Sequence, residues 1–514
     1  MAKQKVNIVW FKRDLRLQDH APLKMAINDS LPTILLYCFE PNLMEATDAD
    51  IRHWRFIWQS LLDMQQKITQ YASGKIQVAH ANAKDVFGWL QTQFDIQHIY
   101  SYQETGNRIS FNRDIQLSHF FFEFQIKWTE YQTNGIIRKL KNRTTWNANW
   151  QIAMEKPTDD VHLSKLNCIS TLFPKQWSTK NLLPTIKTSN NQFQFGGETE
   201  AFKTLQSFID TRAASYMKHI SKPAESTTGC SRLSPYLAYG NLSVRQVYQA
   251  SVKTMQAGKH KKTLAFFISR LHWHCHFIQK FERLCSIEFT NVNAAFDLIR
   301  NDLNNDSYNA WALGQTGYPL IDACMHCLKE TGYVNFRMRA MLVSFLTHNL
   351  WQHWKTGAHH LARYFLDYEP GIHYPQLQMQ AGTMGVNTIR TYNPIKQSKD
   401  HDPEGLFIKQ WIPALRNVPQ TFIHEPWKMT DAEQVFYECI IGKNYPAPIV
   451  ELTETSRKAN KKLWDLKKTD HARQENQKIL GTLTLRKSEI DIELKTKKTR
   501  KNNRKELDLN LKLF

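Results

Sequence analysis

The 514-residue chain contains no apolar run near the roughly 18 residues that span a bilayer, which argues against a transmembrane protein. Its start, MAKQKVNIVWFKRDLR, follows a short apolar run at once with charges, so it reads as a first β-strand and not a signal peptide. Cysteine is sparse and scattered: Cys38, Cys168, Cys230, Cys275, Cys285, Cys324, Cys327 and Cys439. That usage excludes a disulfide framework and suits a reduced, cytoplasmic compartment. Cys324-x-x-Cys327 has metal-like spacing, but no second CxxC completes a site. Its surroundings, LIDACMHCLKETG, are periodic as a packed helix, so no metal is expected. Acidic residues are outnumbered, 47 against 67 basic ones, for a net charge of +20.

Such an excess favours polyanionic partners, nucleic acid ahead of an anionic membrane surface. Part of it sits in Glu451–Phe514, where 18 Lys and Arg face 10 Asp and Glu. With 42% apolar and 22% charged residues the chain can build a sizeable core, which rules out wholesale disorder. Fifteen Trp and 28 Phe suit either a core or the stacking of a large cofactor or bases. Oligomeric state is not written in the sequence, and a monomer is expected.

Residues 1–130 alternate short apolar runs (VNIVWF, TILLYCF, KIQVAHA, IQHIYSY) with helical i, i+3, i+4 patterns, which predicts an α/β domain on a parallel sheet. Residues 131–199 lose period and gain Asn, Thr, Lys and Pro, as in a connector draped over the surface. Residues 200–450 are dominated by helical segments and read as an all-α domain. Residues 451–514 form a basic C-terminal tail, either a helical extension or a flexible arm.

Several longer stretches carry more than composition: NIVWFKRDLRLQDHAPL, TGCSRLSPYLAYGNLS, TGYPLIDACM and the run from Tyr392 to Met429. In this order, over roughly residues 5–430, they resemble the photolyase/cryptochrome family. The resemblance implies an α/β antenna domain, a helical domain holding a U-shaped FAD, and either repair of UV-induced pyrimidine dimers or blue-light sensing. The residues support it physically. Cys230, Ser231, Arg232, Leu233 and Ser234 lead into a helix with hydroxyls, free N–H groups and a proline, a suitable setting for a pyrophosphate. Ser243 and Gln246 form a capping box for the next helix. By resemblance, Tyr216 contacts FAD, and Arg339 pairs with Asp367 beside the flavin ring to stabilise its anionic reduced form. Glu369 stands for a second family aspartate, and Arg337 for an arginine at the DNA backbone.

Departures cluster at the active site. His373 stands where many members have an asparagine facing the flavin, and Phe336 replaces another nearby asparagine. Leu377 occupies the position of the flavin-proximal Trp of the family's electron relay, Trp354 matches the second position, and Asn301 falls at the outermost. Light-driven reduction of the flavin would then need another route, such as Tyr374 or Trp351. On the lesion side Trp273 keeps an aromatic that would stack on a flipped-out dimer. Arg270 stands in place of a glutamate, His274 and Cys275 in place of an Arg-Glu pair, and Met379 in place of a second lesion-contacting Trp. Of His272, His274 and His276, one is expected to line the pocket and donate a proton. Asn107-Arg108 replaces the Asn-Glu of folate-binding members, which leaves the antenna chromophore open. The resemblance therefore implies an FAD-dependent, light-driven lyase acting on UV-damaged DNA, with the lesion type open, or alternatively a cryptochrome-type photoreceptor.

Overall fold

The computed structural model describes residues 2–140, 143–182, 184–187 and 192–483. Five parallel strands, β1 (Lys5–Phe11), β2 (Thr33–Phe39), β3 (Gln77–His80), β4 (Asp95–Tyr102) and β5 (Lys127–Tyr131), form one sheet in the order β3-β2-β1-β4-β5. Helices Ala21–Asn28, Ile51–Ile68, Ala83–Gln93 and Arg108–Glu123 connect and cover them. Because both faces are covered, the central strands read as continuous apolar runs; β2 is buried along its whole length. β5, KWTEY, is half-exposed and carries no clear alternation, which is why periodicity missed it.

Beyond the sheet, residues 200–450 form a helical half without a strand among the described residues, apart from an isolated bridge between Ile441 and Tyr445. The stretch between the halves is more ordered than its composition suggests. Trp146, Trp150 and Met154, spaced four apart, bury one face of helix Trp146–Glu155. That face packs on helix Val244–Gln256, with the Trp150 and Tyr248 rings edge-on at 5.8 Å. The capping box at Ser243 and Gln246 is formed.

The turn after β1 joins the two halves. Arg13 donates to the carbonyls of Ala238 (3.0 Å) and Tyr368 (2.6 Å), and Arg16 to that of Gly240 (3.0 Å). Gly240 has φ +68°, and a Cβ there would meet the Arg13 carbonyl oxygen at 2.3 Å, so this close approach requires glycine. Arg52 adds a bond to the Tyr364 carbonyl at 2.8 Å.

Two further helices, Leu452–Lys467 and Asp470–Leu483, lie against the helical half. They bury Leu452, Ala459, Leu463 and Ala472. Asn349 Nδ2 donates to Thr455 and Ser456, and Asn293 Nδ2 to Asn476. The rest of the basic tail, 484–514, lies outside the described residues. None of the described helices is long and apolar enough to cross a membrane.

Candidate functional site

Two connected cavities open inside the helical half. The outer one, about 280 Å³, is lined among others by Tyr216, Ser231, Arg232, Arg270, Trp273 and Arg337. The inner one, about 190 Å³, is lined among others by Ala340, Leu361, Tyr368, Glu369, His373 and Leu377. Ser234, His274, Phe336, Arg339, Asp367 and Gln376 line both. Three helices supply about half of this wall: Lys261–Arg283, Phe336–Ser344 and Pro370–Ala381.

Arg339 and Asp367 meet at the junction as a two-pronged pair, Nη1–Oδ1 2.9 Å and Nη2–Oδ2 3.0 Å. Burial alone would raise the Asp367 carboxyl; the Arg339 guanidinium and the Ser234 hydroxyl more than offset it and hold it below the usual range. Glu369 lies deeper. Its Oε2 is 3.4 Å from Arg13 Nη2, its Oε1 has no partner, and burial pushes its carboxyl up.

The loop before Ser234 is pinned from below by Arg212, which donates to the carbonyls of Cys230 and Ser231. Arg232 has φ +57° and stacks 3.5 Å over the Tyr333 ring, and its Nη1 is buried without a partner. The helix that follows, Ser234–Ala238, has only five residues and no side-chain cap. Its dipole is correspondingly small, so the polar groups that this loop presents to the cavity are the Arg232 guanidinium and the Ser231 and Ser234 side chains rather than a helix terminus. Arg212 carries no sequence signal of its own, because only the fold brings it under the loop.

His373 Nε2 lies 2.9 Å from the Ala358 carbonyl oxygen. A carbonyl only accepts, so Nε2 carries the proton and Nδ1 is the bare acceptor of a neutral ring. Burial pushes its pKa down to about 4. His274 is the histidine of its trio that lines the cavities, and burial, then the Arg13 charge, push it down to about 4 as well. It is uncharged at neutral pH, so a proton-donor role requires a bound anion to raise it. His272 and His276 instead face the connector: His272 packs against Trp146 and Trp150, and His276 Nδ1 accepts from Arg143 at 2.8 Å. Among the described residues no group of side chains is arranged to hold a metal.

The remaining expected residues divide. Tyr216, Cys230, Arg270, Trp273 and Arg337 all line the outer cavity. Leu233 does not: at 1% exposure its side chain is in the core, and only its backbone is available to a ligand. Met379 is also off the wall, because its place on helix Pro370–Ala381 turns it against the helical core. Trp354 sits one layer behind, with Nε1 donating to Asn291 at 2.7 Å and its ring 6.4 Å from that of Tyr374. Gln376, whose buried Oε1 has no partner, and Tyr368 are wall residues that sequence reasoning passed over.

A third cavity, about 130 Å³, lies between the halves at the carboxyl ends of β1, β2 and β4, where strand order reverses. Asn107 and Ser110 reach it. Most of its charged groups are ion-paired, among them Arg113 with Glu40 (2.6 Å) and Glu104 (2.7 Å), and Lys12 with Asp114 (2.8 Å).

Comparison with known proteins assigns this architecture. A family model described as the FAD binding domain of DNA photolyase matches residues 267–465, and one described as DNA photolyase matches residues 7–134. The chain is 27% identical over 479 residues to a deoxyribodipyrimidine photo-lyase of Alkalihalophilus pseudofirmus, covering 88% of this chain and 97% of that one. It is 26% identical over 496 residues to a cryptochrome DASH of Gloeobacter violaceus, covering 91% and 97%. Among solved structures, a Synechocystis cryptochrome superposes with a TM-score of 0.80 at 23% identity, covering 90% of this chain and 99% of that one. A bacterial class III photolyase from Agrobacterium tumefaciens gives 0.79 at 23% identity, covering 91% and 99%. The chain belongs to the photolyase/cryptochrome family, with an α/β N-terminal half and a helical FAD-binding half. The residues present fit that cofactor: unpartnered Arg232 Nη1 and Gln376 Oε1 line a cavity built around a fixed Arg–Asp pair.

Proposed function

We propose that the protein is a light-driven lyase that splits UV-induced pyrimidine dimers in DNA. The observation that carries this reading is the outer cavity: Arg232, Arg270 and Arg337 line it together with Trp273, while its one acid, Asp367, is already engaged by Arg339. A cationic, aromatic-walled pocket suits a flipped base pair lesion flanked by phosphates. The basic composition of the chain points the same way.

In this reading bound FAD, once reduced and excited by blue or near-UV light, supplies an electron to the dimer and takes it back after the ring bonds break. The protein binds, orients and excludes water. Arg232, Ser231 and Ser234 hold the diphosphate. Arg339 places a fixed positive charge beside the inner cavity, with Asp367 locking its orientation, and Tyr216 and Glu369 complete the cofactor's surroundings. Trp273 stacks on the flipped lesion, Arg270 and Arg337 contact its phosphates, and His274, once a bound anion raises its pKa, offers a proton at the junction of the two cavities.

The replacement of a lesion-facing acid by Arg270 favours a second reading, a cryptochrome-type photoreceptor that binds FAD without repairing DNA. One experiment separates the two. Chemically pre-reduced protein is illuminated with an oligonucleotide bearing a cyclobutane dimer and, in parallel, with one bearing a 6–4 photoproduct. Restoration of either in the light and not in the dark establishes the lyase and names its lesion. Restoration of neither, with reduced flavin bound, overturns it in favour of the photoreceptor.

A further inference from the structure

Leu377 lines the inner cavity, and a leucine side chain cannot be oxidised by one electron. Tyr368 lines the same cavity and lies beside His373, with ring centroids 5.2 Å apart and perpendicular. Its hydroxyl donates to Asp48 Oδ2 at 2.6 Å, a carboxylate 6% exposed that reaches across from the α/β half. Asp48 is held in place by Asn107 Nδ2 at 2.9 Å. The Tyr374 hydroxyl is 3.4 Å from that of Tyr368, and the Tyr374 ring meets Trp354 edge-on at 6.4 Å. Tyr374 and Trp354 are each 1% exposed.

This is the arrangement that one-electron oxidation of a tyrosine requires. A phenol that loses an electron becomes a very strong acid, so oxidation is accessible only where a base already holds the proton. Burial, reinforced by Tyr374 and the Asp48 charge, keeps Tyr368 firmly protonated at rest, and the 2.6 Å bond to Asp48 gives that proton an acceptor.

We propose that Tyr368, paired with Asp48, is the electron donor that reduces oxidised flavin in the light, and that Tyr374 takes up the vacancy next. The proposal rests on flavin binding in the cavities described above, and not on repair. Tyr368 loses one electron to the excited oxidised flavin, its O–H bond breaks, and the proton passes to Asp48. The Tyr374 hydroxyl hydrogen then transfers to the Tyr368 oxygen, which moves the radical to Tyr374. An electron from a thiol in solution, the terminal reductant, with the proton returned from Asp48 through the two hydroxyls, restores Tyr374, and the thiol gives its own proton to water. Asp48 lines neither of the two connected cavities and acts as a positioning residue and proton acceptor.

The test uses the full chain loaded with oxidised FAD, without DNA, under blue light and with a thiol present. Flavin bleaching gives the rate, and electron paramagnetic resonance of samples frozen during illumination without thiol identifies the radical. The wild type is expected to show a neutral tyrosyl signal that narrows when ring-deuterated tyrosine is incorporated. Tyr368→Phe is expected to lose that signal and slow bleaching about tenfold or more, at unchanged FAD content. Asp48→Asn keeps the shape and removes the base; it should have the same effect and abolish the slowing that the wild type shows in heavy water. A tryptophan radical alone, bleaching of Tyr368→Phe at the wild-type rate, or no bleaching of the wild type would each overturn the proposal. Where Tyr368→Phe binds no FAD, the deuteration result on the wild type together with Asp48→Asn decides. A chain that repairs nothing can still pass this test, so its failure and the failure of the lyase reading are distinguishable.

Discussion

Arg13 Nη2 lies 3.4 Å from Glu369 Oε2, and the two residues come from opposite halves of the chain. The guanidinium leaves the turn after β1, passes the Ala238 and Tyr368 carbonyls and ends on a carboxylate of the inner cavity. One residue thereby fixes both the seam between the halves and the charge beside the inner cavity.

Arg13→Ala therefore strands Glu369 in a buried site. The expected loss is about 1–3 kcal/mol near neutral pH and less at a lower pH, because burial already favours the protonated carboxyl over an unpaired carboxylate. Urea titrations at the two pH values check this; equal losses would show that Glu369 does not depend on Arg13.

Arg339→Ala leaves Asp367 without its two-pronged partner. The Arg339 side chain is 24% exposed, so the cost is placed at the lower end for a broken buried pair, about 3 kcal/mol. FAD content should fall, and Arg339→Lys should rescue it only in part, since an ammonium cannot make both bonds. The ratio of flavin to protein absorbance reads this directly; full loading with unchanged spectra would remove Arg339 from the cofactor site.

His53, His274 and His373 are all pushed down to about 4, chiefly by burial. The unfolded chain binds their protons from about pH 6.5 downward, while the folded chain does not until about pH 4. Stability is therefore intact above 6.5 and falls with pH across that window, by on the order of 1 kcal/mol per pH unit for each histidine. Melting temperatures at pH 7 and pH 5 measure the slope, and His373→Gln should make it shallower.

Trp273→Ala should weaken binding of dimer-containing oligonucleotides by about 1–3 kcal/mol, the usual worth of one stacked base, and leave undamaged duplex unaffected. Fluorescence anisotropy on the two DNAs checks it. An equal loss on both would make Trp273 a part of the fold and not of lesion recognition.

Truncation separates the two parts of the C-terminal region. Deleting 451–514 removes the packed helices with Leu452, Ala459 and Leu463, and should lower the melting temperature at every salt concentration. Deleting only 484–514 removes ten Lys and Arg and five Asp and Glu, and should weaken DNA binding mainly at low salt. A salt-independent loss of affinity from the shorter deletion would contradict this charge argument.

The sequence carried what is local or patterned. Apolar runs bounded by turns gave β1 to β4, helical spacing gave the helical half, and the capping box at Ser243 and Gln246 was visible because it closes within four residues. The motifs that resemble the family were enough to name Arg339, Asp367, Trp273, Cys230, Ser231, Arg232 and Ser234, all of which line the outer cavity. Tertiary structure decided the rest, because it depends on contacts between distant segments. Tyr368 meets Asp48 across 320 positions, and Arg13 meets the Tyr368 carbonyl across 355. It also turned Met379 and Leu233 toward the core and His272 and His276 toward Trp146, since the direction of a side chain is set by how its helix packs and not by its place in a motif.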